Sequence, residues 1–213
     1  MKQAGTGLRN SALLIPAIGL LLGSCALRAQ SFKLSALEPA REARFATAGE
    51  WQELDGAMAN VIPEGTPSQL LVDSVNGVGV SLGLVKDFVA EDLAITCEAS
   101  FEANGAPNVL FRVQEEEGVV TAMHSLTLTP VGVQLWRLYN DQWTQLGAYV
   151  YEMTPGQRYT LHATAVDDRI TVRLDGEKLF VVRDTLLWKP GRIGVCGMSG
   201  PCRFYELRAK NLE

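Results

Sequence analysis

The chain has 213 residues, of which 47% are hydrophobic and 20% are charged, and its formal net charge is −5. This length is enough for one well-buried domain. Because the balance is acidic and no basic run occurs, electrostatic binding to nucleic acid has little support, and acidic partners are not expected.

The N-terminus has the three parts of a secretory signal peptide. Lys2 and Arg9 make its start cationic, an apolar run extends from Ala12 to Leu22, and small residues surround Cys25. The apolar run is too short for a membrane-spanning helix, which needs about 20 predominantly apolar residues. We therefore expect residues 1–24 to be a leader and the protein to be exported.

Two processing sites fit this leader, and both stay open. Leu22-Gly23-Ser24-Cys25 resembles a bacterial lipobox, in which Cys25 becomes the lipidated first residue and anchors the protein to a membrane. Leu27-Arg28-Ala29 suits ordinary signal peptidase, which would discard Cys25 with the leader. The expected location is therefore the periplasm, the outer envelope or the medium.

Residues 25–49 are expected to form an N-terminal arm. Leu34, Leu37, Ala40 and Ala43 have the spacing of a short helix with Pro39 in its first turn, and a plain linker fits equally well.

Residues 50–213 have the pattern of one all-β domain. Short runs rich in Val, Leu, Ile, Thr and aromatic residues are separated by Gly, Pro, Asn and Asp. Thirteen such runs predict a two-sheet antiparallel sandwich. The predicted strands are residues 57–62, 69–73, 78–84, 93–102, 108–114, 119–129, 132–139, 143–150, 158–167, 169–175, 178–183, 192–197 and 202–211.

Turn residues and alternation support these strands. Asp175-Gly176 predicts a two-residue hairpin, because both turn positions need a positive φ, and Asn140-Asp141 and Asp167-Asp168 are weaker examples. Since neighbouring strand residues point to opposite faces, Ile170, Val172 and Leu174 are predicted to face the core, and Arg173 the outside. The same reasoning places His162 on a polar face.

Cys97, Cys196 and Cys202 remain after any lipidation of Cys25. Export permits disulfides, and Cys196 and Cys202 flank a short turn between two predicted strands, so we expect these two to be bonded. A Cys97–Cys202 bond is the alternative. Metal binding by the thiols is disfavoured, because neither a Cys-x-x-Cys motif nor clustered histidines accompany them.

The order of the predicted elements is similar to a known group of proteins. Its most specific stretch is Arg169-Ile-Thr-Val-Arg-Leu-Asp-Gly176, followed by Pro190-Gly-Arg-Ile-Gly194. Residues 50–213 resemble the laminin-G-like and 3-keto-disaccharide-hydrolase-like branch of the concanavalin A-like lectin/glucanase superfamily. The resemblance implies an all-β, two-sheet antiparallel jelly-roll sandwich. Such folds serve as carbohydrate-binding modules, adhesion domains, glycoside hydrolases and spacers, so the resemblance alone assigns no function.

The sequence contains no complete catalytic motif. Glu53-Leu54-Asp55 and Glu115-Glu116-Glu117 do not match the alternating carboxylates of a retaining glucanase and are typical of solvated surface. The two histidines, His124 and His162, do not indicate a Ser-His-Asp site or a zinc site. We expect no cofactor. Calcium, held by such residues as Asp87, Asp92 and Asp184, is the alternative.

The leading hypothesis is a carbohydrate site on the concave sheet. Sugars present flat apolar faces and many hydroxyls, so their sites combine aromatic rings with planar hydrogen-bonding groups. The residues that supply these groups are Arg112, His124, Trp136, His162 and Arg173.

Other roles for these residues stay open. Trp136 and Trp51 are also suited to the core, His162 to a plain surface position, and Arg112 and Arg173 to ion pairs. An enzyme related to the 3-keto-disaccharide branch is the second hypothesis, with Glu116 or His124 as general base. A non-catalytic domain that binds another envelope protein is the third.

Overall fold

The computed structural model describes residues 31–35, 45–48, 50–61 and 80–212. The predicted leader, Cys25 and the predicted strand 69–73 lie outside these ranges. The described residues form fifteen strands, numbered here in chain order. Within the same ranges, no helix is long and apolar enough to cross a membrane.

One antiparallel sheet contains eight strands. They are β1 (Ser31–Ser35), β3 (Trp51–Leu54), β4 (Ala57–Asn60), β6 (Leu93–Phe101), β11 (Tyr159–Val166), β12 (Arg169–Leu174), β13 (Glu177–Arg183) and β15 (Cys202–Asn211). Their order is β13-β12-β11-β6-β15-β4-β3, and β1 also pairs with β15.

The second antiparallel sheet contains seven strands. They are β2 (Phe45–Ala48), β5 (Val80–Ala90), β7 (Ala106–Glu116), β8 (Val119–Thr129), β9 (Gly132–Tyr139), β10 (Gln142–Val150) and β14 (Gly191–Met198). Their order is β10-β9-β8-β7-β14-β5-β2. The predicted two-sheet antiparallel sandwich is confirmed.

The core lies between the two sheets and follows the predicted alternation. Ile170 and Val172 are fully buried, and Leu174 packs against the same cluster. Each buried side chain of this size contributes about 1.5–3 kcal/mol relative to an exposed one. The predicted hairpin is also confirmed, because Asp175 and Gly176 have φ values of 49° and 86°.

The expectation of an N-terminal arm is wrong for two segments. Residues 31–35 pair with β15, and residues 45–48 pair with β5, so both belong to the sheets. Leu34 therefore lies in a strand and not in a helix. These segments are short, and their strand conformation depends on partners far along the chain. The remaining residues of the predicted arm lie outside the described ranges.

The expected disulfide is also wrong, since Cys97, Cys196 and Cys202 are free and buried. Cys202 faces the core between the sheets. On β14, Val195 faces that core, so the next residue, Cys196, points to a second apolar cluster on the outer face of the seven-stranded sheet. The two thiols therefore lie on different sides of a sheet.

Arg112 is buried and connects three turns at one end of the sandwich. It lies in an irregular part of β7 with a φ of 52°, and its side chain is fully inaccessible to solvent. Its guanidinium donates to the carbonyl oxygens of Glu91 at 2.8 Å, Asp167 at 2.8 Å and Leu187 at 3.2 Å. It also faces the Asp92 carboxylate at 3.5 Å. These contacts hold the turns against the end of the core.

A buried ion cluster lies near the same end. Asp184 Oδ2 accepts a hydrogen bond from His124 Nε2 at 2.7 Å, and Asp184 Oδ1 receives Arg137 Nη1 at 2.5 Å and the Leu186 amide at 3.1 Å. His124 stacks on Phe111 with ring centroids 5.0 Å apart. An ionised carboxylate only accepts, so Nε2 carries the ring proton, and Nδ1 is a buried acceptor without a partner in the described chain.

The pKa values of this cluster follow from burial and these bonds. Burial lowers the pKa of His124 below 6.5, and the opposing effect of Asp184 is smaller. Burial also opposes ionisation of Asp184, but the hydrogen bonds from His124, Leu186 and Arg137 outweigh it and lower the carboxyl pKa. The folded protein therefore holds a neutral histidine beside a carboxylate.

Replacing Arg112 with Leu is expected to lower the free energy of unfolding by about 3 kcal/mol or more, because it leaves buried carbonyls without donors. Chemical denaturation measures this loss. The control is Arg183→Gln, which removes an exposed pair with Asp168 and should cost less than about 1 kcal/mol. Equal effects of the two substitutions would contradict the assigned role of Arg112.

The stability of the protein is expected to fall as the pH is lowered from 7.5 through 6.5 toward 5. Above pH 6.5, His124 is neutral in both the folded and the unfolded chain. Below pH 6.5 the unfolded chain binds a proton on His124, whereas the folded chain resists it because its pKa is lowered, so the free energy of unfolding decreases. Burial and Arg173 also lower the pKa of His162, so unfolding should be measured in a His162→Gln background. If the free energy of unfolding of His124→Gln keeps the same pH dependence in that background, His124 is not the residue responsible.

Candidate functional site

The five predicted ligand residues lie in three separate places. Arg112 and His124 are in the interior, where neither side chain is exposed to solvent. Both belong to the buried clusters at the end of the sandwich, so the expectation that they bind a ligand directly is wrong. Arg112 is buried because the irregularity in β7 directs its side chain toward the turns and away from the sheet surface.

His162 and Arg173 are neighbours on one face of a sheet, as the predicted alternation along their strands requires. They form a directly opposed pair between β11 and β12 on the outer face of the eight-stranded sheet. The His162 ring is half-buried, with Nδ1 2.8 Å from Thr96 Oγ1 and Nε2 2.9 Å from Thr164 Oγ1. Arg173 Nη1 donates to the carbonyl of Gly176 at 3.1 Å.

Trp136 lies on the other sheet, so the expected shared platform is not formed. Its half-buried side chain is on the outer face of β9, and its Nε1 donates to Gln134 Oε1 at 2.9 Å. Trp51 instead packs against the core, with its ring centroid 5.9 Å from that of Phe204.

The centre of the outer face of the seven-stranded sheet is buried. Its apolar side chains include Leu84, Leu110 and Leu138. The side-chain oxygen Oδ1 of Asn108 accepts hydrogen bonds from the hydroxyls of Ser125 at 2.9 Å and Thr127 at 2.5 Å. Its side-chain nitrogen Nδ2 donates to two backbone carbonyls. These polar groups are used within the protein and join neighbouring strands.

The two predicted alternatives for a general base do not form one site. Glu116 is exposed and lines a cleft of about 320 Å³ with Tyr139, Asp141 and Leu187. His124 is enclosed behind Asp184.

Two of the residues considered for calcium already have partners within the protein. Asp184 bonds to His124 and Arg137, and Asp92 Oδ1 accepts the Asp167 amide at 2.8 Å. Within the described ranges, no three His, Cys, Asp or Glu side chains are grouped so that they could hold a metal ion.

An open cleft with aromatic and polar walls lies at the other end of β11. We call it the tyrosine cleft, and its volume is about 330 Å³. Its lining residues are Tyr149, Tyr151, Glu152, Thr154, Gln157, Tyr159, Leu174, Asp175, Glu177 and Leu179. They come from the end of β10, the segment before β11, and the β12–β13 hairpin.

The tyrosine cleft forms where the free edges of the two sheets approach each other. Gly147 on β10 allows this approach, because a Cβ there would lie 2.8 Å from the ring of Phe180 on β13. Tyr149 lies near the end of β10, and Tyr151 directly follows that strand. Their rings are 6.4 Å apart with an interplanar angle of 23°. The two tyrosines are 38% and 58% exposed.

Hydrogen bonds fix the shape of the cleft and leave other polar groups available. The Thr154 amide donates to the Tyr159 hydroxyl at 2.8 Å, and the Thr160 amide donates to Asp175 Oδ1 at 2.7 Å. Glu152, Gln157 and Glu177 are exposed. The cleft therefore offers two aromatic faces beside carboxylate and amide groups.

No Lys, Arg or His is among the described residues that line the tyrosine cleft. Arg158 belongs to the adjacent segment, but its guanidinium lies 3.7 Å from the centre of the Tyr205 ring and 3.2 Å from Glu98. The cleft is accordingly suited to groups that donate hydrogen bonds.

Sequence reasoning missed this cleft because it concentrated on tryptophan, arginine and histidine. The available signal was Tyr149-Val-Tyr151-Glu152, in which two aromatic residues on one side of a strand end precede an acidic residue and a Pro155-Gly156 turn. The contribution of the β12–β13 hairpin required the strand order.

No protein-family model and no curated protein sequence matches the chain. Solved structures do match. Carbohydrate-binding module CBM66 from Bacillus subtilis has a TM-score of 0.61 at 15% identity, over 75% of this chain and 91% of that one. The Bacillus licheniformis β-glucanase has a TM-score of 0.62 at 8% identity, over 86% of this chain and 98% of that one.

A third similar structure is the GlcNAcα1-4Gal-releasing endo-β-galactosidase from Clostridium perfringens. Its TM-score is 0.61 at 9% identity, over 86% of this chain and 62% of that one. At such identities the likeness establishes the fold and not the activity. The chain has the concanavalin A-like jelly-roll fold.

Proposed function

We propose that this protein is a carbohydrate-binding β-sandwich that holds a glycan in the tyrosine cleft. The observation that carries the proposal is the pair of exposed, stacked tyrosines, Tyr149 and Tyr151, at the wall of a preformed cleft. The C–H face of a sugar ring packs on such aromatic faces, which provide apolar area with little conformational entropy to lose.

The polar rim supports the same ligand class. Glu152 and Glu177 accept hydrogen bonds from sugar hydroxyls, and the Gln157 amide both donates and accepts. A volume of about 330 Å³ is at the lower end of the range for small-molecule sites, which fits a short segment of a glycan. Because hydrogen bonds already hold Tyr159 and Asp175 in place, little reorganisation accompanies binding.

Similar solved structures support a glycan as the ligand, since they include a carbohydrate-binding module and glycosidases. The predicted leader at residues 1–24 is consistent with export, with or without a lipid on Cys25. We propose that the protein meets its glycan outside the cytoplasm.

Tyr151→Ala and Tyr149→Ala are each expected to weaken glycan binding about twofold to tenfold, because each removes an aromatic contact worth about 0.5–1.5 kcal/mol. Tyr151→Phe should bind nearly as well as the natural protein, since it keeps the ring face. A glycan array identifies a ligand, and calorimetry measures its affinity.

Trp188→Ala is the matched control, because Trp188 is a half-exposed aromatic residue in another loop. It should leave the affinity unchanged. The proposal fails if no glycan binds at millimolar concentration, or if Trp188→Ala lowers the affinity and the tyrosine variants do not.

A further inference from the structure

The strands of the eight-stranded sheet contain more basic than acidic residues, although the net charge of the chain is −5. They contain eight Lys or Arg residues and four Glu residues. The strands of the seven-stranded sheet contain four Lys or Arg residues and three acidic residues. The excess of basic residues therefore lies mainly on the strands of one sheet.

Strand register aligns part of this charge in one row, which we call the basic row. It contains, across five adjacent strands, Lys178, Arg173, His162, Thr96 and Arg208. Residues beside these positions on β12, β11, β6 and β15 point into the core, so the row itself faces outward. Adjacent strands are about 4.8 Å apart, and the row thus presents side chains at regular steps.

Two acidic residues on the same face as the basic row, one on β6 and one on β15, are already paired. Glu98 pairs with Arg158, and Glu206 pairs with Arg208. Among the described residues, Arg173 and Lys178 form no ion pair, and Arg173 makes its side-chain hydrogen bond to a backbone carbonyl. The charges of Arg173 and Lys178 are consequently available to a ligand.

Hydroxyl groups accompany these charges. Thr96 and Thr164 bond to the two nitrogens of His162, and all three side chains are partly exposed. The surface therefore combines a few separated cations with threonine hydroxyl groups, which can both donate hydrogen bonds to the hydroxyls of a ligand and accept them.

We propose that the basic row binds an anionic polysaccharide with one carboxylate per sugar, such as a polyuronate. Such a chain matches the row in charge and supplies hydroxyls between its carboxylates. Double-stranded DNA fits less well, because its charge density, about one phosphate per 1.7 Å of helix axis, far exceeds that of the two available cations of the row. No residue of the basic row lines the tyrosine cleft, although Lys178 lies between Glu177 and Leu179, which do. The proposal does not depend on that cleft.

The test measures binding of an oligogalacturonate by calorimetry at low and moderate salt, with its carboxyl-reduced, neutral form as the comparison. The double variant Arg173→Gln/Lys178→Gln should bind the oligogalacturonate about tenfold more weakly, because it removes two exposed ionic contacts. Added salt should weaken binding by the natural protein more than binding by this variant.

Arg183→Gln is the matched control. Arg183 is on the same sheet, but Asp168 already accepts two of its hydrogen bonds, at 2.8 and 2.9 Å. This variant and Tyr151→Ala should both keep full affinity for the oligogalacturonate. Thermal unfolding shows whether each variant is folded.

The proposal is overturned if the oligogalacturonate does not bind at low salt, if the neutral form binds equally well, or if the folded double variant keeps full affinity. Tighter binding of single-stranded DNA of matched charge would also overturn it, because the row would then be a phosphate-binding surface. If Tyr151→Ala alone lost binding, the oligogalacturonate would bind in the tyrosine cleft and not on the basic row.

Discussion

The buried guanidinium of Arg112 is the interaction on which the ordering of one end of the sandwich depends. It joins the carbonyls of three turns that are distant in sequence, and Asp92 lies beside it. Burial lowers the pKa of Arg112, and the acidic residues around it oppose that effect. A buried cation with several partners is stable only when all of them are in place, so the three turns are held together.

This constraint extends to the opposite end of the molecule through β11. The strand ends one residue before Asp167, which accepts a hydrogen bond from Arg112, and it begins at Tyr159, which lines the tyrosine cleft. Because β11 pairs with both β6 and β12, fixing one end of the strand also fixes the register of the β12–β13 hairpin. The part of the cleft formed by β11 and the β12–β13 hairpin is therefore joined to the Arg112 end by a continuous hydrogen-bonded sheet.

The strands were predictable because each depends on a short-range pattern. Residues 119–129, 132–139 and 202–211 agree with β8, β9 and β15 in both bounds. The first three strands were missed. Residues 31–35 and 45–48 are short and take their conformation from distant partners. The third strand, β3, is four residues long and pairs with the adjacent β4. The alternation from Val195 to Cys196 could have argued against the disulfide, because it places the Cys196 thiol outside the main core, whereas Cys202 lies in that core.

The candidate site was less predictable for two physical reasons. The irregularity at Arg112 changes the phase of β7 without a glycine or proline to mark it, and so a residue expected on the surface is buried. The tyrosine cleft combines three segments that meet only because the edges of β10 and β13 approach each other. The pairing of His162 with Arg173 was predictable from alternation, but their separation from Trp136 required the assignment of strands to sheets.

Whether a glycan lies against Tyr149 and Tyr151 can be decided by mapping NMR chemical shifts during titration with a glycan chosen from an array. The largest shifts are expected in the tyrosine rings and in the amides of residues 149–157 and 175–177, which surround the cleft. Only small shifts are expected around Trp136 and Trp188. Saturable shifts centred on either tryptophan, with the tyrosines unchanged, would show that the glycan binds elsewhere.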